Sequence, residues 1–294
     1  MSTLLTGANG FLGRNIKEAF GKEQPITLGL TGCDINADLS LNVPEFKTSF
    51  QKVIHAAGLV HTLPSTDVDA QRFFSVNATG TANLLMGLEN LRPLPRFFIF
   101  ISTVAVYGIE EGENINESVP LNGSTPYALS KIEAENLVSN WGREHGVSTL
   151  ILRLPLIAGV DPPGNLGSMI KAIKKGYYLR PGNGSARKSM VLASDVAAFL
   201  AVCKEHTGIY NLTDGYHPAV RELDDAIARK LNRRIRQIPE PLLKIVSSAG
   251  DYLRFLPLDT GKLQKLTSSL TFSDQRARNE IGWISNLVVQ SADF

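Results

Sequence analysis

Short apolar runs rich in β-forming residues alternate along the chain with longer stretches whose apolar positions recur at helical spacing. The runs are Thr3 to Leu5, Ile26 to Leu30, Lys52 to His55, Arg96 to Ile101 and Thr149 to Leu154. Between them, Gly13 to Phe20 carries Ile16, Ala19 and Phe20 at helical spacing, and Thr66 to Leu91 carries Phe73, Val76, Leu84, Leu85 and Leu88 in the same way. Strand and helix in alternation predict an α/β fold, a doubly wound parallel sheet with helices on both faces and right-handed crossovers. After Arg153 the pattern breaks, because Pro155, Pro162, Pro163, Gly164 and Gly167 crowd together and predict a functional loop. Beyond it the pattern predicts a helix from about Leu166 to Lys175, a loop at Pro181 to Ser185, a helix from Ser194 to Glu205, a strand at Ile209 to Leu212 and mostly helical residues to Trp283. The sheet unit is expected at residues 1–160, with 194–212 returning to it. Residues 161–193 and 213–294 are expected to form a small C-terminal lobe over the carboxyl ends of the strands, where ligands bind in open α/β sheets.

Composition changes this picture little. A chain of 294 residues, 43% of them hydrophobic and 20% charged, can close a full core. Its net charge of +2, spread over scattered side chains, gives no field for nucleic acid or an anionic membrane as partner. No signal segment opens the sequence, and the longest apolar stretch, Phe97 to Val106, is broken by Ser102 and Thr103 and too short to span a bilayer, so the expected location is cytoplasmic. Cys33 and Cys203 are far apart and fit a reducing compartment. His55, His61, His145, His206 and His217 show no ligand spacing, and no metal is expected.

The first candidate chemistry lies between the first strand and the first helix, in Gly7-Ala8-Asn9-Gly10-Phe11-Leu12-Gly13. Gly7 and Gly10 let the backbone turn and approach a pyrophosphate, Gly13 lets the helix pack on the strand, and the helix N-terminus faces the anion. The sheet is therefore expected to be Rossmann-like, and its first unit to hold a dinucleotide. NAD-binding units present an acid to the ribose at the end of the second strand, and here Leu30-Thr31-Gly32 stands there. Asp34 is a late substitute for that acid. Arg14 could face a 2′-phosphate, which tips the reading of NAD(P) toward NADP; a solvated helix arginine is the alternative.

The second is Tyr127-Ala128-Leu129-Ser130-Lys131, which puts a phenol and an ammonium on one face of a helix that Ser124, Thr125 and Pro126 would start. Ketone reduction needs a proton donor at the carbonyl oxygen, and the reverse reaction needs a base there. A cation about 4 Å from the phenol is worth about 4 kcal/mol at an effective dielectric of 20, roughly three pKa units. The buried strand Phe98 to Ile101 ends in Ser102 and Thr103, hydroxyls at the carboxyl edge of the sheet where a substrate carbonyl would sit.

With these motifs in order, the chain resembles the extended short-chain dehydrogenase/reductase family, the epimerase/dehydratase group acting largely on nucleotide sugars. The residues that carry the resemblance are TGANGFLG at 6–13, ADL at 37–39, HAAG at 55–58, Asn77 in VNATGTANLL, ISTVAVYG at 101–108, YALSK at 127–131, RLPLIAG at 153–159 and GIYNLTDG at 208–215. The resemblance implies Thr103, Tyr127 and Lys131 as catalytic, with Lys131 also on the nicotinamide ribose. Together with the glycine loop it implies a cofactor set of Gly7, Asn9, Gly10, Phe11, Leu12, Gly13, Arg14, Thr31, Asp38, Leu39, Ala56, Ala57, Gly58, Asn77, Ile101, Tyr127, Lys131 and Leu154. Asp38 and Leu39 would border the adenine. Thr103, Val104, Asn165, Leu166 and Lys188 would contact the substrate, Asn165, Leu166 and Lys188 at its diphosphate. A homodimer is implied through the helix of Lys131.

Departures narrow the chemistry. Relatives that eliminate water follow the catalytic Thr with Asp-Glu, and here Val104 and Ala105 follow. Lys188 to Ala197 reads KSMVLASDVA, where the family more often opens with Arg-Asp and has a His before the DVA. The missing NAD-type acid favours a cofactor that comes and goes as reductant, so reduction of a nucleotide-linked 4-keto sugar ranks above 4-epimerisation with bound NAD. Reduction of a small carbonyl compound, or a non-catalytic NAD(P)-binding sensor, remain as alternatives.

Overall fold

The structure is a computed structural model, and it describes all residues except 1, 61–63, 65, 240, 244–259, 292 and 294. Its centre is a seven-stranded sheet, every neighbouring pair parallel, built from β1 (Thr3–Thr6), β2 (Ile26–Gly29), β3 (Ile35–Asn36), β4 (Lys52–His55), β5 (Phe97–Thr103), β7 (Ser148–Leu154) and β11 (Gly208–Asn211). The order across it is β11-β7-β5-β4-β1-β2-β3, so the chain turns back between β1 and β4, the switch point at which open α/β sheets place ligands. This is the doubly wound, Rossmann-like arrangement expected from the alternation of runs.

Side chains alternate across the sheet as a pleated strand requires. Leu5, Ile54, Ile99 and Leu152 face a layer made by α1 (Phe11–Phe20) and α6 (Ala193–Val202), whose Leu12, Ile16, Val196 and Leu200 close the core there. Leu4, Val53, Phe98, Phe100 and Ile151 face α3 (Gly80–Glu89) and α4 (Pro126–His145), with Leu84, Leu88, Ala134 and Val138 packed on them. Each such buried side chain contributes about 1.5–3 kcal/mol. Ala19, expected on the apolar face of α1, is exposed.

The stretch expected to run as one helix from Thr66 is α2 (Asp67–Phe73), a π turn (Phe74–Thr79) and α3. Helix α4 starts as its sequence predicts. Thr125 caps it by accepting from the Ala128 backbone N–H, Pro126 occupies its first turn, and Gly146 ends it in the left-handed region.

The C-terminal lobe holds α5 (Gly164–Lys175) and α7 (Val220–Lys230), packed through Leu166, Ile173, Leu223 and Ile227. Three two-stranded parallel pairs join it together. They are β8 (Leu156–Ala158) with β10 (Met190–Leu192), β9 (Leu179–Pro181) with β12 (Arg236–Ile238), and β6 (Gly112–Ile115) with β13 (Leu270–Phe272). These correct the sequence expectation of loop at 155–163 and of mostly helical residues after 212. Five of these six strands are three residues long, below the length at which periodicity separates strand from loop. Helices α8 (Thr260–Thr267), α9 (Gln275–Ile281) and α10 (Val288–Ser291) complete the described lobe, while the part of the helical expectation at 244–259, like His61, lies outside the described residues. No helix among the described residues is long and apolar enough to cross a membrane.

Candidate active site

At the carboxyl ends of β1, β4, β5 and β7 lies a cavity of about 470 Å³, and the glycine loop and the Tyr127 helix stand among its walls. Gly7, Gly10, Phe11, Leu12 and Gly13 line it, as do Ala56, Ala57 and Gly58 after β4, Ile101 and Thr103 on β5, Leu154 on β7, and Tyr127 and Lys131 on α4. The structure brings these sequence-predicted residues together.

The loop fits a diphosphate. Gly7 has φ +72°, and a Cβ there would sit 2.6 Å from the Ala57 nitrogen. A Cβ on Gly13 would overlap the Gly7 carbonyl, so α1 packs on the loop only without one. Gly10 caps α1 with no side-chain hydrogen bond, and the first turn carries no acid, which leaves the helix N-terminus to an anion.

Beside the loop the Asn9 amide donates to the Thr31 carbonyl (3.0 Å) and the Arg14 guanidinium to the Asn9 carbonyl (3.0 Å), so Asn9, Arg14 and Thr31 form one exposed corner next to the end of β2. Asp34 is engaged with β2 instead. Its carboxylate accepts from the Thr27 backbone N–H (2.8 Å) and hydroxyl (2.7 Å), which holds its pKa below the ordinary range. Asp38 accepts from the backbone N–H and hydroxyl of Ser40.

Tyr127 and Lys131 differ from the sequence expectation in their electrostatics. Burial pushes the Tyr127 phenol up to about 12, and a hydrogen bond with Thr103 pulls the other way. Lys131, 4% exposed, donates from Nζ to the Ile101 carbonyl at 2.7 Å and lies 3.9 Å from the centre of the Phe100 ring. Burial brings its ammonium down to about 7, with the Glu135 carboxylate pulling upward. The expected depression of the phenol by this cation is therefore corrected: the ammonium is engaged by a backbone carbonyl, and the phenol is a neutral acid.

Other predicted residues lie elsewhere. Leu39 and Leu166, 8% and 1% exposed, pack into hydrophobic cores, and the structure does not bring them to the cavity wall. Val104 packs beside the Val106, Tyr107 and Phe272 cluster. Asn165 is exposed in the first turn of α5, after Pro163, which does line the cavity. Lys188 donates to the Lys265 carbonyl (2.9 Å), and burial lowers its pKa.

Asn77 sits beneath the cavity. Its side chain accepts from the Leu59 N–H (2.7 Å) and donates to the Leu59 carbonyl and to Ser130 Oγ (2.9 Å), one residue before Lys131. A chain of hydrogen bonds reaches it from the loop after β4. The Ala57 N–H donates to Thr6 Oγ1 (3.1 Å), which is 2.6 Å from His55 Nδ1; His55 Nε2 is 2.9 Å from Thr81 Oγ1, and that hydroxyl donates to the Asn77 carbonyl (2.6 Å). Because the Thr81 proton goes to Asn77, Nε2 must carry the His55 proton and Nδ1 accept from Thr6. Burial, with Lys131 close by, takes His55 down to about 3, so it is neutral and fixed in one tautomer.

Sequence reasoning missed two sets of residues. Leu59, Val60, Leu156 and Ile157 supply apolar wall; Leu156 and Ile157 fall in the RLPLIAG motif, but none of the four is assigned a contact by sequence. Below Thr103, Glu135 and Arg153 form a buried ion pair with Arg153 Nη2 2.6 Å from Oε2, Ser102 donates to the same carboxylate, and Arg153 donates to the Tyr107 hydroxyl (3.0 Å). Two signals could have revealed the pair. Glu135 stands one turn past Lys131, and Arg153 is the one charge in the apolar run Thr149 to Leu154.

The model of one family, described as NAD dependent epimerase/dehydratase, matches residues 3–213. UDP-glucose 4-epimerase of Vibrio cholerae is 24% identical over 311 residues, spanning 96% of this chain and 90% of that protein. GDP-6-deoxy-D-mannose reductase of Pseudomonas aeruginosa is 27% identical over 261 residues, spanning 81% and 82%. Among solved structures, RMD from Pseudomonas aeruginosa complexed with NADPH matches with a TM-score of 0.73 at 23% identity, over 99% of this chain and 96% of that one. MoeE5 in complex with UDP-glucose and NAD matches with a TM-score of 0.71 at 16% identity, over 98% and 94%. At these identities the two structures share the fold with this chain.

Proposed function

This chain belongs to the NAD dependent epimerase/dehydratase family, and from that premise we propose that it is an NAD(P)-dependent reductase of a nucleotide-linked 4-keto sugar. The observation that carries the reading is the Tyr127 phenol, neutral at physiological pH, hydrogen-bonded with Thr103 and facing the same cavity as the uncapped N-terminus of α1. A nicotinamide dinucleotide held along the glycine loop would supply the hydride. Thr103 orients the substrate carbonyl oxygen and Tyr127 gives it a proton. Gly7 and Gly10 would let the loop hold the pyrophosphate, and Lys131 would hold the ribose and restore charge balance when the phenol has lost its proton. Val104 and Ala105 carry no acid or base after Thr103, which argues against elimination of water.

The cofactor we favour is NADP. Arg14 stands exposed beside Thr31, and the Asp34 carboxylate is engaged with Thr27 instead of facing a ribose hydroxyl. A relative named GDP-6-deoxy-D-mannose reductase supports the direction of the reaction. A relative named UDP-glucose 4-epimerase, alike over nearly the whole chain, favours the second reading, a 4-epimerase that takes a hydride and returns it.

Cofactor accounting tests the two. Purified protein mixed with NADPH and a nucleotide-linked 4-keto sugar should lose the absorbance of reduced nicotinamide in proportion to the sugar reduced. Protein that arrives carrying NAD and interconverts sugars with no net change in that absorbance is an epimerase. Tyr127→Phe should lower turnover by about 10²- to 10⁴-fold with dinucleotide binding kept. Failure to bind any nucleoside diphosphate would remove the substrate class.

A further inference from the structure

We propose that Glu135 is a positioning residue whose buried carboxylate fixes the strand end carrying Thr103 against the helical turn carrying Lys131. The proposal rests on Tyr127 and Lys131 acting as read above.

Glu135 is 2% exposed and lies one turn past Lys131 on α4. Its Oε1 accepts from Ser102 Oγ and from Arg153 Nε (3.0 Å), and its Oε2 from Arg153 Nη2 (2.6 Å). Ser102 stands between Ile101, whose carbonyl receives Lys131, and Thr103, whose hydroxyl meets Tyr127. One carboxylate therefore ties both ends of the catalytic group to the helix that bears the phenol. Arg153 in turn donates to Tyr107, whose hydroxyl donates to Asn211 Oδ1 (2.8 Å), so the carboxylate is held from β7 and β11 as well. A shift of about 1 Å in such a group changes rates about a hundredfold.

Charge points the same way. Around Lys131, β5 contributes the Ile101 carbonyl and the Phe100 ring, β4 the neutral His55, and α4 itself Tyr127 and Glu135. Glu135 is the anion among them, with Arg153 of β7 on its far side. Without that charge Lys131 would face a buried, uncompensated guanidinium beyond an uncharged neighbour.

Glu135→Gln keeps the shape and deletes the charge. Wild-type kcat/KM should decline as pH rises past the Lys131 value of about 7, and in E135Q that decline should begin roughly one unit lower. The double variant Glu135→Leu with Arg153→Met removes both charges together, an exchange that buried pairs tolerate. It should melt near wild type and bind NADPH within about threefold, while kcat drops about tenfold or more. A double variant with wild-type kcat and an E135Q profile superimposable on wild type would overturn the proposal. Should neither carboxylate variant fold, Ser102→Ala decides: a kcat reduced several-fold at unchanged KM supports it, and an unchanged kcat overturns it. Tyr127→Phe serves as control. Full activity there sinks the functional reading itself, whereas an inactive Tyr127→Phe beside unaffected Glu135 and Ser102 variants sinks only this inference.

Discussion

The Lys131 ammonium donates to the Ile101 carbonyl at 2.7 Å, so the cation of α4 is anchored to the strand that ends in Thr103. The burial around that anchorage comes with a thermodynamic cost at neutral pH, and it can be measured.

Lys131 has a folded-state pKa of about 7 against an ordinary 10.5. Between those values the unfolded chain binds a proton that the folded chain does not, so stability rises with pH through that window and the penalty is full below about 7. Lys131→Met should therefore melt higher than wild type near pH 7, by on the order of 2 kcal/mol after loss of the hydrogen bond to Ile101, and be inactive. The gain should vanish as pH approaches 10.5. Melting curves of both proteins across pH check this; a variant less stable at pH 7 contradicts it.

His55 gives the opposite limb. It titrates at about 3 in the fold against 6.5 ordinarily, so the unfolded chain takes up the extra proton and stability is lost as pH falls from 6.5 toward 3. The loss should reach roughly 4–5 kcal/mol near pH 3. In His55→Gln, which can still bridge Thr6 and Thr81, the stability difference from wild type should shrink steadily over that range. A difference independent of pH would mean that His55 is protonated in the fold.

Gly13→Ala should abolish dinucleotide binding and cost more than about 3 kcal/mol, because the new methyl meets rigid backbone at Gly7 and Ala8. Gly21→Ala is the contrast at the other end of α1. There a Cβ meets nothing within 4 Å, and only the positive φ of +55° is strained. Thermal shift with and without NADPH separates the two.

Arg14→Gln should weaken NADPH about ten- to a hundredfold and leave NADH unaffected, the effect of one charge-assisted contact to a 2′-phosphate. Equal weakening of both cofactors would assign Arg14 to the loop, where it already holds the Asn9 carbonyl.

The sequence was most readable where one local rule decides the outcome. Continuous apolar strands such as Phe97–Thr103 predict burial on both faces, glycines at 7, 10 and 13 predict a loop that admits backbone, and Thr125-Pro126 predicts the start of α4. It was least readable where distant segments decide. The pairing of β6 with β13 joins residues more than a hundred positions apart, and no local pattern marks either strand. Leu39 and Leu166 sit where motifs imply ligand contact, yet tertiary packing turns them into cores. The Glu135–Arg153 pair and the wiring of His55 depend on which strands become neighbours, which the order of the sheet decides.

The chain leaves the central sheet after β7 and comes back with α6 and β11 only after building part of the lobe. During synthesis this imposes a waiting period. A nascent chain released to about residue 160 has its glycine loop and α4, but Leu12 and Ile16 lack the cover of Val196 and Leu200, and β7 presents an unpaired edge. Such an edge invites association with other chains until residues 193–211 emerge from the ribosome. A stop codon or a cleavage near residue 160 is therefore expected to yield an aggregating fragment instead of a free-standing dinucleotide-binding module.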